Sequence, residues 1–570
     1  MKFMRFVNVF LIISVSVLAC TFSLYAQKPT DSLTRDLYEK GLKNLEIGEY
    51  FTAQNLFQEI VILDSTHQDA TMELMRLQFA QKNFEAAEEL AKRLAQLHPE
   101  DENSWVALVD IYKATENLDG LSTVFDTLIA LKPETSTYYY DKALTLTLKE
   151  KREEALALYS KIEDKFGVED RLFIARTEIY LQQNDAKKAV SEAKAFIDFK
   201  PGESTPYLFL ANTYLNLEKP KDALKLLNEV ESKFPNEPYI PLTKADAYKK
   251  TNKNNQVFEE LTKAFKMDSL PVDAKIRTIY NVFQDFDKKI SFPIAEKLSA
   301  MLVESNPDQA SVHAVYGDIL LQKGELKEAR GYFLKALSLD KNLDFIWTQL
   351  LQLEVSEGNY ADAQKHGLEA INAFPHHSGI LLFTGYAYLL DKKHQEARVF
   401  LEEALNQANP ENADLLVQIY SSLGDTYHAI DLHAESNVAY EEALKIDSNN
   451  TYVLNNFAYY LALRKEELNK AASMSKKSNE LNPGNASFQD TYAWVLFQQE
   501  NYNEALTWIE KAISTSGNPS ATLIEHKGDI LFKLGKKEEA LSYWEKALQL
   551  TGTEENEKLH KKIKEKIYVD

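Results

Sequence analysis

A repeat limits what this chain can fold into more than any other feature. Small residues that open an amphipathic run fall at Ala53, Ala87, Ala155, Ala189 and Ala223, and every gap is a multiple of 34. Leu121 and Val257 fill the two remaining slots, so seven positions keep the 34-residue step. The step resumes at Ala329, Ala363 and Ala397, then continues with small slips at Ser436, Ala471, Ala505 and Ala540. Two copies are nearly the same line: "GDILLQKGELKEARGYFLKALSL" (317–339) and "GDILFKLGKKEEALSYWEKALQL" (528–550), six units apart. A period of this length marks a stacked array. One unit cannot bury its own apolar stripe, but neighbouring units share a continuous core.

Each unit reads as two helices. Before the small residue comes a segment with large apolar groups at helical spacing, such as "WVALVDIYKA" (105–114), "YLFLANTYLNL" (207–217) or "YSSLGDTYHAI" (420–430). A polar turn follows, with Gly48, Asn83, Gly324, Gly358 or Gly535. The second helix ends before Pro99, Pro133, Pro201, Pro235, Pro307 and Pro375, and one residue late at Pro410 and Pro483. Proline there stops one helix and suits the start of the next. The small residues let paired helices approach closely, and the large ones fill the gap from the neighbouring unit.

This pattern resembles the tetratricopeptide repeat family, whose line is W-x2-L-G-x2-Y, then A-x3-F, then P. Trp105, Leu108, Tyr112 and Phe125 meet it in one unit, Tyr420, Leu423, Gly424 and Tyr427 in another, and Ala329 with Phe333 in a third. Val109, Met75 and Leu351 stand where a Gly or Ala is usual, so the register carries the match rather than any single unit. The resemblance covers residues 34–550 and implies an all-α, right-handed superhelical solenoid of about fifteen helix-turn-helix repeats. It implies protein–protein interaction as the role, through a concave surface lined by the first helix of each unit.

Four further boundaries follow. An N-terminal array of seven units spans 34–269, and a second array spans 310–550. From Val257 to Ala329 the step is 72 residues, four more than two regular units, and the stretch 270–309 within it reads as an irregular joining unit, with Pro271 and Pro293 at helix starts. The tail 551–570 puts Leu559, Ile563 and Ile567 on one face and reads as the capping helix that a solenoid end requires.

The first residues, "MKFMRFVNVFLIISVSVLACTFSLYAQKPTD", place Lys2 and Arg5 before an uncharged stretch and a small-residue exit at "YAQ". That is the form of a secretory signal over residues 1–26, cleaved after Ala26. Export into a bacterial cell envelope, in the periplasm or at the outer membrane, is the expectation. "SVLAC" also resembles a lipoprotein box, which would make Cys20 a lipidated N-terminus, and the apolar run would serve as an anchor if retained. Cys20 is the only cysteine, so the mature chain is held by packing without disulfides.

Charge narrows the partners. Lys and Arg number 65 against 86 Asp and Glu, a formal net charge of −21. Phosphate binding needs clustered cations, so nucleic acid is excluded as a partner, and membrane contact is left to an N-terminal lipid or anchor. No H-E-x-x-H, G-x-S-x-G, phosphate-cradling Gly-rich loop or Cys pair occurs. His366, His376, His377 and His394 fall close in sequence but on different elements, so no metal or other cofactor is expected and no catalytic residue is assigned. A glycan- or peptide-processing enzyme remains the alternative outside the scaffold class.

What is left is the concave surface. The residue after the small residue of each first helix is expected to face it. In the C-terminal array these are Asp318, Tyr386, Asp425, Tyr459, Trp494 and Asp529, with Gln352 the exception. Asp490 and Glu525 lie one turn before Trp494 and Asp529 on the same face. Tyr386, Asp425, Tyr459, Asp490, Trp494, Glu525 and Asp529 therefore form the candidate partner groove. Exposed aromatics among carboxylates suit a protein or peptide partner with apolar and basic side chains. The expected role is an exported interaction scaffold, or alternatively a lipid-anchored accessory factor of envelope assembly or secretion.

Overall fold

The protein is described here by a computed structural model covering residues 31–551 and 557–569. The signal segment 1–26 and Cys20 lie outside the described residues. All regular structure among the described residues is helical: thirty helices in fifteen consecutive pairs, from α1 (Asp31–Glu46) to α30 (Lys537–Thr551), followed by α31 (Glu557–Glu565). The chain is an all-α solenoid of paired helices.

It divides into two compact units, residues 1–257 and 258–570, and the division falls inside α14 (Asn254–Phe265). Each unit has its own run of core. In the first, Leu108, Ile111, Leu121, Val124, Phe125 and Leu128 pack together with almost no exposure. In the second, Tyr440, Phe457, Leu461, Val495, Ile509 and Ile530 do the same. Each such side chain contributes roughly 1.5–3 kcal/mol on burial.

The small residues sit where two helices touch. Ala53, Ala87, Ala155, Ala189, Ala223, Ala329, Ala363, Ala397, Ser436, Ala471, Ala505 and Ala540 are all wholly buried near the start of the second helix of their pair. Ser436 shows how close the backbones come: its hydroxyl donates to the carbonyl of Gly424 on the facing helix at 2.8 Å. Gly424 has no room for a side chain, because a Cβ there would lie 2.7 Å from the Tyr440 ring.

Two regularities of the structure set the register. One residue between the paired helices takes positive φ, at Gly48, Lys82, Glu116, Glu150, Asn184, Glu218 and Asn252, again 34 apart. The turn residue expected at Asn83 is thus one position off. Lys82 takes φ 62°, and Asn83 is the cap before α4 (Phe84–Leu97). The second regularity straps the inter-unit turn. A side chain six residues after the proline donates to its carbonyl: Trp105 to Pro99 at 2.9 Å, Tyr139 to Pro133 at 3.1 Å, Tyr207 to Pro201 at 3.1 Å and Gln489 to Pro483 at 2.7 Å. His313 lies 2.7 Å from the Pro307 carbonyl in the same way, and Trp347 donates to Lys341 at 2.9 Å where no proline stands. These bonds give a partner to a backbone carbonyl in the turn just beyond the helix end.

In the stretch 270–309, Pro271 caps α15 (Val272–Asp285) as expected of a helix start. Pro293 does not start a helix. It lies inside α16 (Lys288–Ser305), whose start is set by Asp287 accepting from the backbone N–H groups of Lys289 and Ile290. The aspartate cap is the stronger start signal there.

Candidate functional site

The candidate residues lie on the first helices of successive pairs: α21 (Ser378–Leu390), α23 (Ala413–Ala429), α25 (Thr451–Arg464), α27 (Ala486–Gln498) and α29 (Ala521–Lys533). Side-chain caps fix where these helices begin. Asn412 accepts from the Leu415 N–H, Asn450 from Val453, Asn485 from Ser487 and Phe488, and Ser520 from Leu523. With the starts fixed, the helical period decides which later side chains point the same way.

Tyr386, Asp425, Tyr459, Asp490 and Glu525 are half-buried. Trp494 and Asp529 are not exposed groove residues: their exposures are 8% and 2%. Trp494 stacks on His526 at 4.1 Å and on Phe497 at 4.8 Å and belongs to the core. The cause is the chain's own C-terminus, which folds over this end. Leu559 of α31 is wholly buried, Tyr568 lies 5.7 Å from Phe497, and Lys562 is buried against two carboxylates. Its ammonium donates to Asp529 at 2.7 and 2.8 Å and to Glu525 at 2.8 Å.

Asp425 and Asp529 occupy the same place in their units, directly after Gly424 and Gly528. Each accepts a hydrogen bond from the aromatic residue of its own pair. Tyr440 donates its hydroxyl to Asp425 at 2.6 Å, and Trp544 its indole N–H to Asp529 at 2.9 Å. Each also meets a residue of the next first helix. For Asp529 that residue is Lys562; for Asp425 it is Tyr460, donating at 3.0 Å, with Asn456 beside it. Burial pushes the Asp425 carboxyl above its ordinary range, against the pull of three neutral donors. Burial also pushes Asp529 up to about 6, although Lys562 sits against it.

Other charges here are committed. Asp490 accepts from His526 at 2.8 Å. Burial works against charging that imidazole, but Asp490, with Asp529 and Glu525 behind it, outweighs burial and raises it above its ordinary value. Arg464 is bound to Glu466 at 2.9 Å and to Asn437 at 2.6 Å, and it touches His428 at 3.2 Å. His428 stacks on Tyr460 at 3.8 Å; burial and the Arg464 charge hold it down to about 4. Tyr459 is steadied by Tyr460, 5.9 Å away, and the nearby charges of Asp490 and Glu525 add to burial in raising its phenol.

Beside Asp425 the surface opens into a cleft of about 320 Å³, with Phe383, Tyr386, Gln418, Tyr452 and Asn456 among its walls. Two candidate residues, Tyr386 and Asp425, are brought together there; Trp494, Glu525 and Asp529 share a second cleft of about 300 Å³ with Lys558, Lys562 and Tyr568, and Tyr459 and Asp490 line neither. The first unit has a smaller cleft, about 220 Å³, walled by Met72, Met75, Phe79 and Val106 with Arg76 and Asp110 at its edge.

Tyr440, Tyr460, Asn456 and Lys562 were not among the residues the sequence singled out. The repeat itself holds the signal for two of them: Tyr460 and Lys562 lie 35 and 33 residues after Asp425 and Asp529, close to one unit on. Among the described residues, no group of three or more His, Cys, Asp or Glu could hold a metal ion. His366 instead contacts Glu354 at 2.9 Å, and His377 caps α21. No helix among the described residues is long and apolar enough to cross a membrane.

Models described as tetratricopeptide repeat match residues 45–112, 292–343, 348–413, 417–450 and 521–553. A TPR repeat-containing protein of Bacillus subtilis, YpiA, is 24% identical over 413 residues, 66% of this chain and 94% of that protein. Among solved structures, a chain of the APC/C hetero-tetramer Cut9-Hcn1 is similar over 81% of this chain and 96% of that one, at 13% identity and a TM-score of 0.36. Yeast Tom70 is similar over 75% and 94%, at 18% identity and a TM-score of 0.33. With paired helices throughout the described residues and matched repeats in both units, the chain belongs to the tetratricopeptide repeat family.

Proposed function

We propose that this chain is a non-catalytic interaction scaffold that holds an extended or helical segment of a protein partner in the cleft beside Asp425. The observation that carries the reading is the cleft itself: aromatic walls at Phe383, Tyr386 and Tyr452, amides at Gln418 and Asn456, and one half-buried carboxylate. Recognition sites for peptides combine such apolar anchors with a few fixed polar groups. The net charge of −21 favours a partner with cationic side chains and speeds its approach.

The test is selection of random ten-residue peptides, displayed on phage, against the immobilised full chain. Tyr452 and Gln418 are exposed on the rim, so Tyr452→Ala with Gln418→Ala lowers stability by no more than the edge-on contact of Tyr452 with Phe488, about 0.5–1.5 kcal/mol, and the variant stays folded. Enriched peptides should bind this variant at least about tenfold more weakly, as loss of aromatic anchoring predicts. Equal binding, or no enrichment at all, removes the cleft from the account.

The N-terminal stretch supports export, with residues 1–26 removed and Gln27 first, into the periplasm or to the outer membrane of a bacterial envelope. An intact mass matching a chain that begins at Gln27 bears this out. A chain that begins at an acylated Cys20 replaces it with the lipid-anchored accessory factor.

A further inference from the structure

We infer that the Asp425 cleft is a subsite for a lysine side chain of the bound segment, with the ammonium group seated on the Asp425 carboxylate between Tyr386 and Tyr452. The inference rests on the cleft being the partner site and adds what enters it.

The chain carries its own example of the occupant. Asp529 stands at the same place in its unit as Asp425 and is met by an ammonium group, Lys562 Nζ, at 2.7 and 2.8 Å. The aromatic donor from the paired helix is kept in both cases, as Trp544 at Asp529 and as Tyr440 at Asp425. What differs is the next first helix, which offers lysine at one site and Tyr460 at the other. Both tyrosine hydroxyls converge on the same oxygen of Asp425, Oδ1. No described lysine or arginine forms an ion pair with this carboxylate, and Arg464, on the same helix as Tyr460, is spent on Glu466, His428 and Asn437.

A carboxylate buried among neutral donors is an expensive arrangement unless a cation completes it. Here the cation is missing on the side where the wall is open. A lysine reaching in would find the carboxylate ahead of it and the aromatic rings of Tyr386 and Tyr452 along its stem. Those rings take the methylenes and favour the positive head.

A second, independent candidate, the exposed patch of Ile47, Tyr50 and Phe51, carries nothing comparable, because nothing in the structure shows what covers it.

The experiment starts from the ten-residue peptides selected on the full chain. Lysine should be enriched at one position, and selection on Asp425→Asn should lose that preference while still enriching apolar residues. Asn keeps the size and the acceptor for Tyr440 and Tyr460, so the variant folds; its melting curve checks this. One selected peptide and its lysine→norleucine version are then titrated against both proteins. On the wild type, norleucine should weaken binding about thirtyfold or more, as loss of one partner of a buried charge pair does. On Asp425→Asn the two peptides should bind within a factor of about two, because the interaction is already gone. Enriched peptides without lysine, or a lysine preference that survives Asp425→Asn, overturn the subsite and leave the cleft standing. Failure to enrich any peptide overturns the cleft as well.

Discussion

Asp425 and Asp529 stand at one place of the same repeat, yet one faces an open cleft and the other is closed by the chain's own lysine. At Asp529 the cap helix α31 supplies Lys562, so the carboxylate is committed within the fold. At Asp425 the following helix supplies Tyr460, and the charge is left for something outside the chain. The difference teaches that the repeat sets a position and the next unit sets its use. A carboxylate on the inner face belongs to the core wherever its neighbour brings a cation, and to a ligand where it does not.

The comparison breaks most easily at its closed member. Lys562→Met should destabilise the second unit by about 3–5 kcal/mol, because it leaves Asp529 buried without its cation. Tyr460→Phe at the open member removes one hydrogen bond to a charged group and should cost about 1.5–3 kcal/mol. Urea unfolding of the full chain, followed through the tryptophans of the second unit, gives both. Equal losses would mean that the two carboxylates are held alike.

The next effect is a pH dependence. The Asp529 carboxyl titrates at about 6 in the fold against an ordinary 3.8, so the folded state holds its proton more tightly than the unfolded chain does. The stability this contributes is complete below pH 3.8 and is lost as pH rises through 6. Relative to Asp529→Asn, the wild type should therefore lose on the order of 2–3 kcal/mol between pH 4 and pH 7. The same pair of unfolding curves at the two pH values reads it, and a constant difference between the proteins contradicts the burial assigned to Asp529.

A third variant probes the packing shared by the two sites. Gly424→Ala drives a methyl to within 2.7 Å of the Tyr440 ring, which also holds Asp425. Overpacking of this kind costs roughly 1–3 kcal/mol and should disturb the open site first. Thermal melting together with titration of a selected peptide measures it. A variant that melts and binds as the wild type does shows that the ring has room to move.

The smallest effect lies in the first unit, far in sequence from either carboxylate. Glu150 holds φ 59° at a turn where other units use Gly48 or Gly324. A left-handed residue with a side chain costs about 1–2 kcal/mol, and glycine returns part of that as greater freedom in the unfolded chain. Glu150→Gly should raise stability by about 0.5 kcal/mol, visible as a small shift in the urea midpoint of the first unit, while peptide binding in the second stays the same.

The 34-residue step made the architecture legible, because the close helix contacts at Ala53, Ala87 and Ala223 demand small residues and the turns at Pro99, Pro133 and Pro201 demand a helix stop. The same step carries the positive-φ turn at Lys82 and Glu116, which composition hides because neither residue is glycine. The inner face was legible in part. The residue after Gly424 lines one cleft and Trp494 another, but Trp494 is only 8% exposed there, in a cleft it shares with Lys558 and Lys562 of α31. Those lysines come from the last residues of the chain, where the repeat has ended and its period predicts nothing. Lys562 could be found only by carrying the step once more, from Asp529 to the cap helix.

The most direct measurement places a photo-reactive benzoylphenylalanine at Tyr452, on the rim of the open cleft, and another at Val399, exposed on α22 (His394–Asn406). Each full-length protein is irradiated with a selected lysine-containing peptide, and mass spectrometry locates the linked residues. The account predicts strong linkage from position 452, to peptide residues within one or two of the lysine, and little from position 399. Equal linkage from both positions, or linkage from 452 that ignores where the lysine lies, would contradict it.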